Sequence, residues 1–477
     1  MTSLPDIARA TVAAHDLLPP GSVVVAMLSG GADSVTLLRL LAAGELGDDL
    51  RVSALHINHL LRGEDAQTDE TFVRELCESL GVDLRVVRFD VAAYAAEGGL
   101  NLEDAGRKVR YRFAAEESAV RCDAAGLPPD RGRIAVAHTL DDRIETFFMR
   151  LTTGAGATGL TSLRPARDRI VRPLADTPRS LVMEHLAYLG QPWREDASNT
   201  DTTRLRARIR HDVLPVLRGI NPRLDPGIAR TLEVLSAEDD LLAEMADAFS
   251  RDFVRLKGGR LVLERAMMAT LSVAMRRRTV RAALDRSFPE ASRIEFEHVE
   301  AIVAACAAQA DRAFTRDIGG GLRAVAEYDT IVVSRSGVEP EPMAPCLLPI
   351  PATVDLGESG LLIAEPAASD DTSGEADSVV IDAGRLVSTL SVSAPHAGDR
   401  MRPLGMSGTK KLSDLLVDAK VPARLRSLTP VVRDGTQVVW LAGVRMSDEY
   451  KVGPHTTYAV RLTWERHTGD VPEQPAR

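Results

Sequence analysis

Hydrophobic and polar positions divide the first half of the chain into two alternating kinds of segment. A continuous apolar run, typical of a strand buried on both faces of a sheet, occupies residues 23–28, and further strand-like runs occupy residues 52–57, 84–89 and 134–137. Stretches with helical spacing occupy residues 33–43, 64–80, 102–119 and 141–151. Strands that alternate with helices predict βαβ units and a parallel sheet, whose ligands bind at the carboxyl ends of the strands.

The pattern becomes mainly helical beyond residue 177. Helical stretches occupy residues 178–189, 203–217, 225–253, 271–286 and 296–310. A strand-like pattern returns at residues 314–334. The C-terminal part of the chain combines strands at 438–444 and 456–462 with a helix at 411–418. We therefore predict a catalytic domain at 1–220, a helical middle domain at 221–335, an acidic linker at 336–378 and a C-terminal domain at 379–477.

The charge of the chain is unevenly distributed. A net charge of −10 and a pI near 5.6 argue, for the whole chain, against nucleic acid and anionic membranes as partners. Residues 336–378, however, carry nine carboxylates and no lysine or arginine. Residues 347–356 and 360–366 within this stretch can also pair as strands. The rest of the chain is close to neutral, so it has room for basic patches.

Cysteine content and hydropathy restrict the cellular context. The four cysteines form no CxxC pair, which argues against a zinc ribbon or a disulfide framework and fits a reducing cytosol. The chain contains no run of about 18 apolar residues, and its first residues lack the apolar core of a signal peptide. We therefore expect a cytoplasmic protein that is neither secreted nor membrane-spanning.

The most specific motif is Ser29-Gly30-Gly31-Ala32-Asp33-Ser34, between the first strand and the first helix. The two glycines allow a tight turn, and the N–H groups at the start of the helix suit an anion. Asp33 adds a carboxylate suited to Mg²⁺ beside phosphates. The Walker A pattern GxxxxGK[ST] is absent, so γ-phosphoryl transfer is not expected. The structural alternative is an ordinary glycine-containing turn from strand to helix.

This motif resembles the pyrophosphate loop (PP-loop) of N-type ATP pyrophosphatases, which adenylate a substrate and release pyrophosphate. Further blocks resemble the tRNA(Ile)-lysidine synthetase family within that superfamily; they lie at residues 56–64, 101–111, 137–146, 204–211, 398–403 and 410–414. Two positions depart from the family pattern. Gly106 stands where alanine is usual, and Ala207 replaces an asparagine, which puts one polar contact in doubt.

The resemblance implies a fold and an activity. The fold is a parallel-sheet α/β domain of the adenine nucleotide α-hydrolase kind, followed by a helical middle domain and a small α+β domain. The activity is ATP-dependent ligation of L-lysine to C2 of the wobble cytidine of tRNA(Ile) with a CAU anticodon. ATP and Mg²⁺ are the implied cofactors and the reaction passes through an adenylated cytidine. A homodimer is one arrangement that the resemblance allows.

Candidate catalytic residues follow from the motifs. We expect ATP to contact residues 29–34 and His56, with Asp33 and Asp142 as metal or lysine ligands. His138 and Asp142 are four residues apart, across a strand end and a first helical turn, and suit holding an ammonium or easing proton removal from an amine. Helix capping is the structural alternative for Asp142.

Two basic clusters suit the phosphates of a long partner. Residues 202–223 carry six arginines against one aspartate, and residues 399–426 carry seven basic against three acidic residues. The predicted tRNA contacts are Arg62, Arg107, Arg206, Arg208, Arg210, Arg400, Lys410 and Lys411. The alternative for these side chains is an ordinary solvated helix face.

Two other functions remain open on sequence grounds. One is a different PP-loop enzyme, either a tRNA thiolase, which would require paired or cluster-binding cysteines, or an amide-forming ligase with a glutaminase block. The other is a nucleotide-gated tRNA-binding protein without catalysis. Such a binder has no need for the loop at 29–34 together with His138 and Asp142.

Overall fold

The computed structural model describes residues 3–61, 64–195, 205–257, 259–291, 294–307, 314–337, 343–368 and 377–466. The chain divides into two compact units, Met1–Asp240 and Leu241–Arg477. This division falls within one long helix. The four-domain division, with its boundaries at 220, 335 and 378, stays a prediction.

Helices occur throughout the described residues. In chain order they are α1 Leu4–Ala14, α2 Ala32–Ala42, α3 Glu64–Leu80, α4 Val91–Gly98, α5 Leu102–Ala124, α6 Leu140–Thr152, α7 Ala157–Leu160, α8 Arg179–Tyr188, α9 Leu205–Arg208, α10 Leu214–Ile220, α11 Leu224–Phe253, α12 Arg265–Thr270, α13 Val273–Ser287, α14 Phe296–Ala307 and α15 Leu412–Asp418. One π-helical turn, Ile209–Val213, joins α9 to α10.

Strands complete the secondary structure. They are β1 Val23–Met27, β2 Arg51–Asn58, β3 Asp83–Arg88, β4 Gly132–Ala135, β5 Ala166–Arg167, β6 Ile170–Val171, β7 Val254–Lys257, β8 Arg260–Glu264, β9 Thr315–Asp317, β10 Leu322–Glu327, β11 Thr330–Arg335, β12 Cys346–Leu348, β13 Ala352–Asp355, β14 Leu361–Ala367, β15 Ser378–Asp382, β16 Leu390–Ser393, β17 Arg400–Met401, β18 Lys410–Lys411, β19 Val431–Asp434, β20 Gln437–Leu441, β21 Arg445–Met446 and β22 Ala459–Glu465.

The first unit is built on a six-stranded sheet in the order β3-β2-β1-β4-β6-β5. Neighbours from β3 to β6 pair in parallel, and only β5 runs antiparallel, as the edge of a short hairpin. Residues 23–26 of β1 are fully buried, as expected for a central strand covered on both faces. The predicted parallel sheet is confirmed.

The register of this sheet brings four loops to one edge. Met27 pairs with Leu55, Ala26 with Ala135, and Ala135 with Val171. The segments that follow β1, β2, β4 and β6 therefore leave the same edge of the sheet. This is the edge at which parallel α/β sheets bind their ligands.

The middle of the chain combines helices with a second sheet. The five-stranded antiparallel sheet has the order β7-β8-β11-β10-β9, and α12, α13 and α14 share a hydrophobic core with it. Helices α13 and α14 and the strand-forming region at 314–334 were predicted, whereas α12 was not. Strands β7 and β8 were missed, because their few apolar positions directly follow the long amphipathic helix α11.

The C-terminal part contains two further antiparallel sheets and a two-stranded ribbon. Their orders are β12-β16-β19-β20-β21, β13-β14-β22-β15 and β17-β18. Strand β13 pairs with β14, and β14 pairs with β22 along seven residues. The described part of residues 336–378 thus contributes strands to the folded core. Strand pairing within this stretch was one of the possibilities that its sequence allowed.

No helix among the described residues is long and apolar enough to cross a membrane.

We expect Leu55→Ala to test the packing of the central sheet. Leu55 lies in β2, is fully buried and contacts the cluster around Val25 and Ile134. The cavity should cost about 2–5 kcal/mol in the free energy of unfolding, measured by urea denaturation. Leu151→Ala is the control, because Leu151 is 50% exposed. Equal losses for the two variants would contradict this packing.

Candidate active site

The loop between β1 and α2 presents the start of a helix to an anion. Gly30 has a φ of +91°, a left-handed conformation that strains any residue with a side chain. Gly31 is the N-cap of α2 and forms no side-chain cap. The N–H groups of the first helical turn are therefore available to a ligand, at the positive end of the helix dipole.

The two serines of the motif close the loop on itself. Ser34 Oγ donates to the carbonyl oxygen of Gly31 over 2.9 Å, and the backbone N–H of Ser29 donates to Ser34 Oγ over 3.2 Å. The hydroxyl oxygens of Ser29 and Ser34 lie 3.1 Å apart. These contacts define the loop shape before any ligand binds.

Arg194 supports the loop from behind, which the sequence did not predict. Its backbone N–H donates to the carbonyl oxygen of Gly30 over 2.9 Å, and its Nε donates to Asp69 over 2.8 Å. A β-carbon on Gly30 would lie 3.5 Å from side-chain atoms of Arg194, Phe72 and Val73. No local pattern signals this role, because the partners are more than a hundred residues apart.

Asp33 is a half-buried carboxylate with little compensation. Its nearest cation is Arg179, whose Nη2 lies 4.0 Å from Oδ2, and its Oδ1 is buried without a hydrogen-bond partner in the described chain. Burial, opposed by Arg179 and reinforced by Asp142, raises the pKa of Asp33 to about 6. An orphaned carboxylate oxygen beside an anion-binding loop fits one ligand of Mg²⁺, whose other ligands are commonly phosphates and waters.

His56 lies beside the loop, at the end of β2. Its ring Nδ1 hydrogen-bonds the carbonyl oxygen of Leu28 over 2.9 Å, so Nδ1 carries the proton. Burial lowers the pKa of His56, which keeps the ring neutral. Nε2 is buried without a protein partner in the described ranges. The ring thus offers a hydrogen-bond acceptor to a ligand bound on the loop.

Asp142 is engaged on both of its oxygens. Oδ2 accepts from the backbone N–H of Thr139 over 2.8 Å and from its hydroxyl over 3.2 Å, which forms a capping box at the start of α6. Oδ1 accepts from Arg206 Nη2 over 2.5 Å. The capping alternative is therefore observed, and a ligand that uses Asp142 has to share or replace the contact with Arg206.

Glu145 lies one turn further along α6 and binds two arginines. It is 1% exposed, accepts from Arg206 Nε over 2.7 Å and accepts from Arg210 Nε over 2.5 Å. Arg206 and Arg210 share a helix face, as the four-residue spacing predicted, but that face points at carboxylates of this chain.

His138 does not contact Asp142 through a hydrogen bond. Its Nδ1 accepts from Arg172 Nε over 3.1 Å. Burial, followed by the charges of Arg172 and Arg206, lowers the pKa of His138 to about 3. The sequence did not predict Arg172, since β6 is only two residues long and left no readable pattern.

The remaining predicted tRNA contacts differ in their surroundings. Arg107 is exposed and lies over the Tyr111 ring, 5.2 Å from its centroid. Arg208 is largely exposed, and its Nε lies 3.8 Å from Asp212 Oδ2. In the second unit, Arg400 lies opposite Lys411 in the β17–β18 ribbon, and Lys410 forms an ion pair with Asp418. Arg62 lies outside the described residues.

The cysteines do not resemble a cluster or zinc site. Cys77, Cys122 and Cys306 are buried and Cys346 is half-buried, and all four are free. Burial raises the pKa of Cys77 to about 11, so its thiolate is suppressed. Within the described ranges, no group of three or more His, Cys, Asp or Glu side chains is placed to hold a metal ion.

Comparison with known proteins assigns the chain to a family. The model of the PP-loop domain family matches residues 7–217, and the model of the TilS substrate C-terminal domain matches residues 390–464. A tRNA(Ile)-lysidine synthase of Geobacter sulfurreducens is 32% identical over 473 residues, which cover 96% of this chain and 97% of that protein. The chain belongs to the tRNA(Ile)-lysidine synthase family.

Other relatives agree over most of the chain. A tRNA(Ile)-lysidine synthase of Dehalococcoides mccartyi is 30% identical and covers 94% of this chain and 96% of its own. Among solved structures, a TILS C-terminal domain is 26% identical and matches 26% of this chain and 98% of that chain, with a TM-score of 0.25. The family membership makes this chain an ATP-utilising PP-loop ligase.

Gly30→Ala should separate loop function from backbone strain. Both Gly30 and Gly44 have positive φ, and a methyl group at Gly44 meets nothing within 4 Å. Each alanine variant should therefore lose roughly 1–2 kcal/mol of stability. Only Gly30→Ala should also weaken ATP binding, measured by calorimetry. Equal ATP affinity in the two variants would contradict the assignment of the loop.

Asp33 should make the ligand-free protein less stable above pH 6. Its raised pKa means that the folded state favours the protonated carboxyl, so this contribution to stability is present below pH 4 and is lost as the pH rises through about 6. Asp33→Asn should thus raise the free energy of unfolding by roughly 1–3 kcal/mol at pH 8 and by little near pH 4.

The thermal midpoint across this pH range measures the effect of Asp33→Asn. Asp6→Asn is a control of opposite sign, because hydrogen bonds from Ser3 lower the pKa of Asp6 in the α1 capping box. A lower midpoint for Asp33→Asn at pH 8 would show that Asp33 is compensated in the folded protein.

Proposed function

We propose that this chain ligates L-lysine to C2 of the wobble cytidine in tRNA(Ile) with a CAU anticodon, and converts ATP to AMP and pyrophosphate. The observation that carries the proposal is the loop at residues 29–34, which leaves the N-terminal N–H groups of α2 available to an anion. The chain is also related to tRNA(Ile)-lysidine synthases over nearly its full length. The product would change the codon read to AUA and the amino-acid identity from methionine to isoleucine.

The chemistry proceeds in two balanced steps. The O2 oxygen of cytosine attacks the α-phosphorus of ATP, and the bond to the β-phosphate breaks to release pyrophosphate. The lysine ε-amine then attacks C2, the C2–O2 bond breaks, AMP leaves, and the amine loses a proton. Adenylation is required because it turns O2 from a poor leaving group into a good one.

The loop and Asp33 account for the first step. The N–H groups of α2 and the hydroxyls of Ser29 and Ser34 would hold the phosphates, and the neutral ring of His56 would accept a hydrogen bond from the nucleoside. Asp33 would hold Mg²⁺, which supplies positive charge to the departing pyrophosphate. Because the pKa of Asp33 is about 6, the carboxylate form that binds a cation dominates above that pH.

The carboxylates of α6 would bind the substrate lysine. Asp142 Oδ1 already accepts from a cationic group, the guanidinium of Arg206, so its position suits the ammonium of lysine. Arg206 would then be free to meet the carboxylate of the same lysine. Glu145 keeps Arg206 in place over 2.7 Å while this exchange occurs.

The exposed cationic side chains would bind the tRNA. Arg208 in the first unit, and Arg400 with Lys411 in the second, present charge to solvent and suit phosphate contacts. Arg62, Arg107 and Lys410 belong to the same proposal. Arg206 and Arg210 act through Asp142 and Glu145 rather than as free phosphate ligands. A homodimer and a cytoplasmic location complete the proposal.

One assay tests the function. Full-length protein is incubated with a tRNA(Ile) transcript bearing CAU, ATP, Mg²⁺ and labelled lysine, and both labelled tRNA and pyrophosphate are measured. We expect one pyrophosphate per lysine, and no labelling of a transcript with uridine at the wobble position. Asp33→Asn should lower the rate about 100-fold or more, since it removes the proposed cation ligand.

Asp130→Asn is the matched control for Asp33→Asn. Asp130 is an exposed carboxylate in the turn before β4, outside the site, and its variant should keep the rate within about twofold. Pyrophosphate release without lysine transfer would favour another PP-loop enzyme. ATP-dependent tRNA binding without pyrophosphate release would favour a nucleotide-gated binding protein.

A further inference from the structure

A buried arginine contacts the ring of His138 and has no place in the chemistry described so far. Strand β6 pairs in parallel with β4, with Ala135 opposite Val171. Arg172, the first residue after β6, therefore lies beside the segment that leads from β4 to His138. Its side chain is almost fully buried, at 1% exposure, and its Nε donates to His138 Nδ1 over 3.1 Å.

The guanidinium of Arg172 is itself fixed in direction. Its Nη1 donates to the carbonyl oxygen of Arg164 over 2.7 Å, and its backbone N–H donates to the carbonyl oxygen of Pro165 over 2.8 Å. Arg164 is in turn held by ion pairs with Asp239, at 2.5 Å, and with Asp240. The donor that faces His138 is thus anchored at two other points and has little freedom to turn away.

After burial, the charges that lower the pKa of His138 most are those of arginines. They belong to three elements: Arg172 after β6, Arg206 on α9, and Arg110 and Arg107 on α5. An arginine is always protonated, so the Nδ1 that it faces must be the unprotonated nitrogen of the ring. Protonating Nδ1 would place one N–H against another among these positive charges.

We propose that Arg172 is a positioning residue that locks His138 as a neutral imidazole with its proton on Nε2, which makes this histidine a hydrogen-bond donor. This role differs from the proton transfer expected from the sequence, because the nitrogen that would take up a proton already faces a fixed cation. An oxygen that gains negative charge is the partner that suits Nε2–H. The identity of that oxygen, on cytosine or phosphate, rests on the proposed function.

The first test needs only the unmodified protein. Nitrogen-15 NMR of the full-length chain with labelled histidine distinguishes the two tautomers and the charged ring, and His138→Gln assigns the signal among the ten histidines. We expect His138 to show one Nε2–H tautomer with no titration between pH 5 and 8. A proton on Nδ1, or a titration midpoint inside this range, would overturn the proposal.

The second test removes the cation. Arg172→Met should let His138 titrate, with a midpoint that moves toward the ordinary value of about 6.5. It should also lower kcat for lysidine formation about 10- to 100-fold, with the loss greatest at low pH, while the KM for ATP stays within about threefold. Arg172→Lys keeps a cation and should restore part of the rate.

Arg143→Met is the matched control for a purely structural effect. Arg143 is also a buried arginine, at 5% exposure, but its ion pair is with Asp176. Its variant should lose stability and leave the His138 tautomer unchanged. If Arg172→Met keeps the parental kcat and pH profile, the proposal fails even where lysidine formation itself is observed. If the unmodified protein shows the expected tautomer but makes no lysidine, the proposed function fails and the lock on His138 stands.

Discussion

Parallel pairing of β2, β1, β4 and β6 is the constraint on which the candidate site depends. Each of these strands contributes the chain that follows it, so four segments distant in sequence leave one edge of the sheet. The register brings the loop at 29–34, His56, His138 and Arg172 to that edge. A parallel strand needs a long crossover connection, and the helices of this unit provide it while they bury both faces of the sheet.

Electrostatic compensation is distributed unevenly among the carboxylates at that edge. Glu145 binds two arginines and Asp142 completes a capping box, so these carboxylates hold α6 and the residues near 206 in place. Asp33 keeps an orphaned oxygen and a raised pKa. Burying Asp33 without a compensating partner lowers the stability of the folded protein. Because stability alone would not favour such a residue, its presence indicates a ligand.

Much of the local structure follows from the sequence because it depends on neighbouring residues. The apolar run at 23–28, the glycine pair and the helix at 33–43 correspond to β1, the anion-binding loop and α2 almost residue for residue. Helix α3 has the predicted bounds. Short elements were not predicted, among them β5 and β6 with two residues each, because two residues are too few to show a hydrophobic periodicity.

The sequence by itself determined the strand–loop–helix that forms the proposed nucleotide site and, through its motif blocks, the family. Only the tertiary structure decided which charges are free. The sequence predicts Arg206 and Arg210 as tRNA contacts, yet in the folded chain they form ion pairs with carboxylates on α6. No sequence pattern indicates a role for Arg172, yet packing places it against His138. The reason is physical: a helix face or a turn depends on residues a few positions apart, whereas a side chain's partner depends on where distant segments meet.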